Sequence, residues 1–339
     1  MPTSCNKNKV IMFIKYKANF KSQDIDLKKL RPGKSYEYLI KNRNVSFGKF
    51  NSKIKKKFLK TRPCPSCNFF KTTKKLTKDN FDIVKCNKCN LIFVNPILDK
   101  EQYLKAYKSK EYQKIMKSLG EKSHMYRVNR FGKERVNYLS NFFKKKKISV
   151  LDVGCSTGFF LEAAKKKDWD CEGLELNPSA ADFGKKRGLK IYEQDLSNFK
   201  TKKKYDIITL FDVLEHLADP KKIIEQAKKL LKNQGLLYVY VPNWNCASRI
   251  LMKEKNCHFI WPTHHLTYFT PETLSYFFRR LKLKIIDWET QGLDLFDYNW
   301  FTEYKKGKSI MNNHELDVLQ NYINSSGNGK NLRMLVKKI

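Results

Sequence analysis

From residue 148 onward, short apolar runs alternate with helical stretches, and this alternation restricts the fold more than any other feature of the sequence. A run at 148–153 ends in a glycine-containing turn and leads into a helical stretch that extends to Lys167. Further runs at 171–176, 190–193, 205–211 and 236–241 read as strands. Pro178 and Asp219-Pro220 open helices between them, proline being favoured in a first turn where its missing N–H costs nothing. The 205–211 run is predominantly apolar, as a strand covered on both faces must be. The helix opened by Pro220 reads to Asn233, ahead of Gly235, and Thr270-Pro271-Glu272-Thr273 caps another that reaches Leu281. Two last strands, 283–288 and 332–336, enclose a less regular stretch that ends in a flexible segment, 325–329. The pattern predicts an α/β fold: a doubly wound, mostly parallel seven-stranded sheet whose last two strands pair at one edge.

The chain before this region divides into three parts. Residues 1–60 are lysine-rich with weak periodicity, a lead segment without a predicted fold. Residues 99–147 read as a helical linker or cap, with Tyr103, Leu104 and Tyr107 at helical spacing and a second stretch over 126–143. Between them, at 61–98, Cys64-Pro65-Ser66-Cys67 and Cys86-Asn87-Lys88-Cys89 form two C-x2-C pairs separated by eighteen residues. Two tight knuckles offering two thiolates each complete a closed tetrahedral shell for zinc, with no position left for a substrate. The segment between the pairs is too short and polar to fold alone, so metal binding there is folding energy, on the order of 10–16 kcal/mol in small zinc peptides. Cys64, Cys67, Cys86 and Cys89 are therefore the expected ligands of a structural Zn2+.

The segment Leu151-Asp152-Val153-Gly154-Cys155-Ser156-Thr157-Gly158 follows a strand and opens a helix. Such a turn presents backbone N–H groups at the carboxyl edge of the sheet, where doubly wound folds bind ligands, dinucleotide-binding enzymes among them. Glu175 ends the second strand, where a carboxylate can accept hydrogen bonds from both hydroxyls of a ribose, and Asp195-Leu196 follows the third, where an acid can hold an adenine amino group. The fourth strand runs into Phe211-Asp212-Val213-Leu214-Glu215-His216-Leu217.

This combination resembles class I S-adenosylmethionine-dependent methyltransferases over residues 148 to about 290 plus the final strand. The resemblance implies a Rossmann-like domain over 148–339. It also implies S-adenosylmethionine held by Asp152, Gly154, Cys155, Gly158, Glu175, Asp195, Leu196 and Phe211. Ser156 departs from the family, which most often has a glycine there. With the ribbon ending Cys89-Asn90-Leu91-Ile92-Phe93-Val94-Asn95-Pro96, the chain is similar to bacterial methyltransferases that carry a two-knuckle zinc ribbon ahead of the catalytic domain. That group implies a small polar acceptor, a sugar or glycan intermediate. Its sugar C-methyltransferases often carry a further C-terminal domain that this chain is too short to include, so their sugar chemistry does not transfer. A quinone-like phenol is the alternative acceptor.

Where the acceptor carries a proton, a general base contributes roughly 10²–10⁴-fold. His265, in the long connection after the fifth strand, is the preferred base, followed by His216 after the fourth. Asp212, Glu215 and His216 also form D-x-x-E-H, which resembles the metal set of some quinone O-methyltransferases.

Lys and Arg number 69 against 33 Asp and Glu, a formal charge of +36. The excess is mostly lysine in short runs beside apolar segments, which suits a solvated face. The arginine–aromatic tracts of RNA-binding modules are missing. A module that docks a macromolecule through the ribbon and the lysines is the reading from a different functional class. Nine cysteines, an odd count with paired knuckles, favour a reducing compartment. With neither a secretory signal nor an apolar run of membrane-spanning length in the sequence, a cytoplasmic location is expected.

Overall fold

The computed structural model describes residues 25–30, 58–99, 101–102, 110–144, 147–257 and 259–339. Most of the lead segment, and Tyr103, Leu104 and Tyr107 of the expected cap, lie outside the described residues.

The N-terminal part holds a helical turn α1 (Leu27–Leu30) and five strands, β1 (Leu59–Lys60), β2 (Thr72–Lys78), β3 (Phe81–Cys86), β4 (Ile92–Val94) and β5 (Ile97–Leu98). Helix α2 (Lys110–Arg127) follows, then a π-helical turn (Val128–Gly132) and α3 (Lys133–Ser140). The alternating region supplies β6 (Ser149–Val153), α4 (Phe159–Lys165), β7 (Asp170–Leu174), α5 (Pro178–Lys186), β8 (Ile191–Tyr192) and β9 (Tyr205–Phe211). A 3-10 turn (Leu214–His216) leads to α6 (Pro220–Leu230), β10 (Leu231–Pro242) and α7 (Ala247–Asn256). The chain continues through β11 (Thr267–Tyr268), α8 (Pro271–Arg280), β12 (Leu283–Gln291), α9 (Asp294–Lys306), α10 (Asn313–Ser325) and β13 (Asn331–Lys338).

Seven strands form one sheet in the order β12-β13-β10-β9-β6-β7-β8. The pairs β6–β7, β7–β8, β6–β9 and β9–β10 are parallel, and β13 runs antiparallel to both β10 and β12. This is the doubly wound sheet the alternation predicts, with its final two strands paired at the edge. Strand order reverses between β6 and β9, and that switch point places a crevice at the carboxyl ends of these strands. Three helices start as their sequences dictate. Asn177, Asp219 and Thr270 each accept a backbone N–H three residues on, and proline occupies the first turn after each.

Two expectations are corrected. Helix α6 ends at Leu230 and not at Asn233. Leu231 is buried and already pairs with Tyr205, and the ladder resumes at Leu236 opposite Ile207 after an irregularity that includes Gln234 at φ 62°. The segment expected to be flexible at 325–329 is tied down instead. Asn243, fully buried, donates from Nδ2 to the Gly327 and Gly329 carbonyls at 3.0 and 2.9 Å, and Gly329 N–H donates to Thr290 Oγ1. Buried backbone polar groups need partners, and here a side chain supplies them.

One face of the sheet packs α3 and α4 through Val136, Phe160 and Tyr238. The other carries Leu151, Ile208 and Leu237 in a cluster that extends without interruption to Leu91 and Phe93 of the cysteine-bearing segment. That segment does not close its own sheet. Its four-stranded sheet runs β11-β4-β3-β2, so the last strand comes from residues 267–268, far along the chain. No helix among the described residues is long and apolar enough to cross a membrane.

The Arg333 guanidinium on β13, 1% exposed, pairs with Glu134 of α3 at 2.5 Å and with Glu289 of β12, and lies over the Tyr138 ring at 4.5 Å. It ties the cap helices to the sheet edge. Arg333→Met removes the shared cation from two carboxylates, and urea unfolding is expected to show a loss of about 3–5 kcal/mol. A loss no larger than that of an exposed lysine substitution would contradict this account.

Candidate active site

The turn between β6 and α4 is held open by three left-handed residues, Gly154 (φ 72°), Ser156 (φ 51°) and Gly158 (φ 77°). The two glycines are required by space as well as by dihedral. A Cβ on Gly154 would stand 2.5 Å from Val213 Cγ2, and one on Gly158 2.4 Å from Leu189 Cδ1. Gly154 and Cys155 donate their N–H groups to the Leu174 carbonyl at the end of β7, at 2.8 and 3.0 Å. Ser156, the residue that departs from glycine, adopts the strained region with its N–H on Glu175 Oε2 at 2.8 Å. That bond offsets part of a backbone cost of about 1–3 kcal/mol.

A cavity of about 640 Å³ opens over this turn at the carboxyl edge of the sheet. Asp152, Gly154, Cys155, Glu175, Asp195, Leu196 and Phe211 all line it, so the structure brings seven of the eight expected cofactor residues together. Gly158 does not line it; it starts α4 behind the turn. Glu175 accepts from Ser156 N–H and, at 2.7 Å, from Asn177 N–H, which fixes both oxygens at the rim. Burial raises its pKa above the usual carboxylate range. Beside it Leu176, 52% exposed, offers the cavity an apolar face. Asp195 accepts from Ser197 Oγ and Asn198 N–H and stands at the same wall. Asp152 is 2% exposed, accepts from Thr209 Oγ1 at 2.6 Å, and is pushed up to about 7 by burial.

Sequence reasoning missed the cationic side of the cavity. Arg135 of α3 is 7% exposed and its guanidinium lies 4.0 Å from the Phe211 ring centroid, 5.0 Å from that of Tyr240 and 5.4 Å from that of Phe159. Its Nη1 has no hydrogen-bond partner among the described residues. A desolvated guanidinium among three rings, lining a cavity with an open N–H, is built to receive an anionic group. Arg127 and Lys330 line the cavity too. The signal in the sequence was an arginine on the predicted helical stretch 126–143 of a chain that otherwise prefers lysine. Gly132 allows the close fit behind it, since a Cβ there would come within 2.8 Å of Ala163 Cβ and the Phe159 carbonyl. His124 is buried with Nδ1 2.9 Å from Thr157 Oγ1 and Nε2 2.9 Å from Glu162. It locks α2 against the turn.

The two candidate bases differ in placement. His216 lines the cavity, whereas His265 does not. Their rings meet edge to face with centroids 4.8 Å apart. His216 Nδ1–H donates to the His264 carbonyl at 2.9 Å, so in the neutral ring Nε2 is the basic nitrogen. Burial lowers the His216 pKa to about 4. His265 Nδ1–H donates to the Phe259 carbonyl at 2.6 Å. Glu215, 1% exposed, has no hydrogen-bond partner for either oxygen among the described residues; Oε1 is 3.7 Å from His216 Nε2. Burial first, then Asp212, pushes this carboxyl well above its ordinary value.

The four cysteines converge. Cys64 and Cys89 sulfurs are 3.5 Å apart, as are those of Cys67 and Cys86, and all four lie within 4.8 Å of one another. Tetrahedral Zn–S bonds of about 2.3 Å put sulfurs about 3.8 Å apart, so the set fits zinc. Each knuckle turns on an asparagine in the left-handed region, Asn68 (φ 59°) and Asn90 (φ 64°), whose N–H returns to the first cysteine's carbonyl.

Residues 123–287 match the model of a family described as a methyltransferase domain. A ubiquinone biosynthesis O-methyltransferase of Actinobacillus pleuropneumoniae serotype 7 (strain AP76) is 35% identical over 120 residues, 31% of this chain and 50% of that protein. One from Histophilus somni (strain 2336) is 29% identical over 153 residues, 40% of this chain and 63% of that protein. The chain thus spans about half to under two thirds of the length of the curated relatives it matches. Among solved structures, a plantazolicin methyltransferase in complex with SAH is similar at 16% identity and a TM-score of 0.48, covering 70% of this chain and 94% of that one.

The His216 titration gives a direct check of the site's burial. Its folded pKa of about 4 lies below the ordinary value of about 6.5, so the unfolded chain takes up the proton first. The contribution of His216 to stability is complete above pH 6.5 or so and is lost as pH falls from there toward 4. Thermal melts across that window are expected to drop more steeply for the wild type than for His216→Asn; parallel curves would show that the ring is hydrated.

Proposed function

We propose that the chain, whose residues 123–287 match a family described as a methyltransferase domain, transfers a methyl group from S-adenosylmethionine to a small acceptor. The observation that carries this reading is the cavity at the strand tips, where a backbone turn, two acids and a buried arginine meet. Glu175 would hold the ribose hydroxyls and Asp195 with Leu196 the adenine. The turn from Gly154 to Gly158 would take the methionine part, with Cys155 and Phe211 as apolar walls and Arg135 as counter-ion to the carboxylate. S-adenosylmethionine supplies an electrophilic methyl group on a sulfonium with a neutral leaving group.

The chain's own task is alignment, which is worth up to about 7–11 kcal/mol when reactants are held in attack geometry. His216 is the base in this reading, ahead of His265, because it belongs to the cavity wall and His265 does not. In the neutral His216 ring Nε2 carries the lone pair that can take the acceptor's proton as the new bond forms. Glu215 beside it and His265 against its ring set its position.

The acceptor we propose is a sugar or glycan intermediate, on the similarity of the ribbon and catalytic region to methyltransferases of those pathways. A second reading, a quinone-like phenol methylated on oxygen, is favoured by the apolar residues Leu30, Phe131 and Leu293 in the cavity wall and by the names of the relatives. Cys64, Cys67, Cys86 and Cys89 hold a structural Zn2+ in this proposal, and no substrate approaches it.

Calorimetry with S-adenosylhomocysteine tests the reading. The wild type should bind, Glu175→Ala should bind about 10–100-fold more weakly for the loss of charged hydrogen bonds, and Arg135→Met should lose a similar factor. Arg135→Met should bind methylthioadenosine, which lacks the carboxylate, as the wild type does. No affinity in the wild type would end the methyltransferase proposal. For the ribbon, elemental analysis should find one zinc per wild-type chain and none in Cys86→Ala, with loss of the ordered ribbon; a metal-free wild type of unchanged stability would refute it.

A further inference from the structure

The cysteine-bearing segment is sewn to the loops that carry both histidines, and one side chain makes the central stitches. Arg62, two residues before Cys64, donates from Nε to the Val94 carbonyl at 3.3 Å, from Nη1 to the Ala218 carbonyl at 2.7 Å and from Nη2 to the Leu266 carbonyl at 2.6 Å. The three acceptors belong to three separate segments: strand β4, the turn after His216, and the residue after His265. A guanidinium is the one side chain whose fixed fork can serve three such carbonyls together. The Arg62 N–H bonds Asn95 Oδ1 at 3.0 Å, and the guanidinium lies over the Phe93 ring at 5.5 Å, so the fork's own position is set by the ribbon.

The surrounding backbone continues the seam. Leu266 N–H donates to the Glu215 carbonyl at 2.7 Å, and Val94 N–H to the Leu266 carbonyl at 3.0 Å. From there β11 pairs with β4, Thr267 opposite Phe93 and Tyr268 opposite Ile92. His216 Nδ1–H closes the circuit on the His264 carbonyl. These bonds tie the backbone on either side of the His216–His265 pair to one another and to the ribbon.

We infer that Arg62 is a positioning residue for the catalytic centre: it uses the ribbon as an anvil on which the 215–218 and 264–266 segments are set, and so fixes the orientation and burial of His216. The inference rests on the methyltransferase reading with His216 as base. Arg62 itself is half-buried and does not line the cofactor cavity, so it acts on the site through the two loops alone. Hydrogen bonds from a charged donor are stronger than neutral ones, and losing three together lets the loops part and water reach the histidine. The titratable groups facing His216 are Glu215 at 3.7 Å and His265 in ring contact, with Asp212 on the same cavity wall.

The test is a proton NMR titration of the six histidine rings in the full-length, zinc-loaded chain, with His216 assigned through His216→Asn. In Arg62→Met the His216 pKa is expected to rise by about 1–2 units toward its ordinary value as the ring becomes hydrated. Arg62→Lys is expected not to restore it, because an ammonium cannot reach three carbonyls in a fork. Should Arg62→Met fail to fold, Arg62→Lys carries the test alone, with its own upward shift as the expected result. Zinc content and S-adenosylhomocysteine affinity, measured on the same samples, should stay at wild-type values. An unchanged His216 titration in a folded variant overturns the inference while leaving the methyltransferase proposal standing. Absence of cofactor affinity in the wild type would instead remove the reading beneath it.

Discussion

The stretch of chain between β6 and α4 can reverse direction only because the end of β7 receives it. Gly154 and Cys155 give their N–H groups to one carbonyl of β7, Leu174, and Ser156 gives its own to the adjoining Glu175. Three consecutive donors are thus consumed within two residues of a neighbouring strand. The glycines face Val213 and Leu189 at distances that leave no room for a side chain, so the turn is locked from both sides. The cavity above it, the tilt of α4 and the position of the acid at the rim all follow from this closure. A carboxylate that accepts backbone N–H bonds is doing structural work even before a ligand arrives, and this explains how Glu175 can be partly buried at a sheet edge without a cation beside it.

The parts of this protein that were legible in its sequence are those governed by short-range rules. Strand-turn-helix order, proline after a capping residue, and paired cysteines at knuckle spacing each depend on a few adjacent residues, and β6, α5 and the cysteine cluster lie where those rules put them. The illegible parts depend on distant partners. The segment 325–329 looked flexible because its glycines and serines favour turns; Asn243, more than eighty residues away, supplies the bonds that order it. Helix α6 was read too long because Leu231 continues an apolar helical pattern, yet its side chain is claimed by the strand ladder. The surroundings of Arg135 were illegible for the same reason. Nothing near it in the sequence announces Phe211 and Tyr240 as the rings it would lie against.

Charge is used sparingly inside a chain that carries a large excess of it outside. Buried titratable side chains sit at junctions between elements: Arg333 between α3, β12 and β13, His124 and Glu162 between α2 and α4, Asp294 of α9 between α7 and the residue before β13. Among the described residues, exposed lysines such as Lys29 and Lys74 make single pairs of the kind worth at most about 1 kcal/mol. The large positive formal charge therefore says little about the architecture, which a handful of desolvated groups define.

The pairing of β4 with β11 has a consequence for how the molecule is assembled in time. Residues 92–94 emerge during synthesis well before residues 267–268, so the small sheet stays one strand short until most of the chain has been made. Contacts this distant in sequence form late, because a long loop must close before they give anything back. The cysteine knuckles can be complete while their sheet still has an open edge, the kind of surface that invites pairing with a neighbouring chain. A fragment that stops before the second histidine segment would carry that edge permanently, and the ribbon cannot be treated as an independent cassette that folds and is then attached.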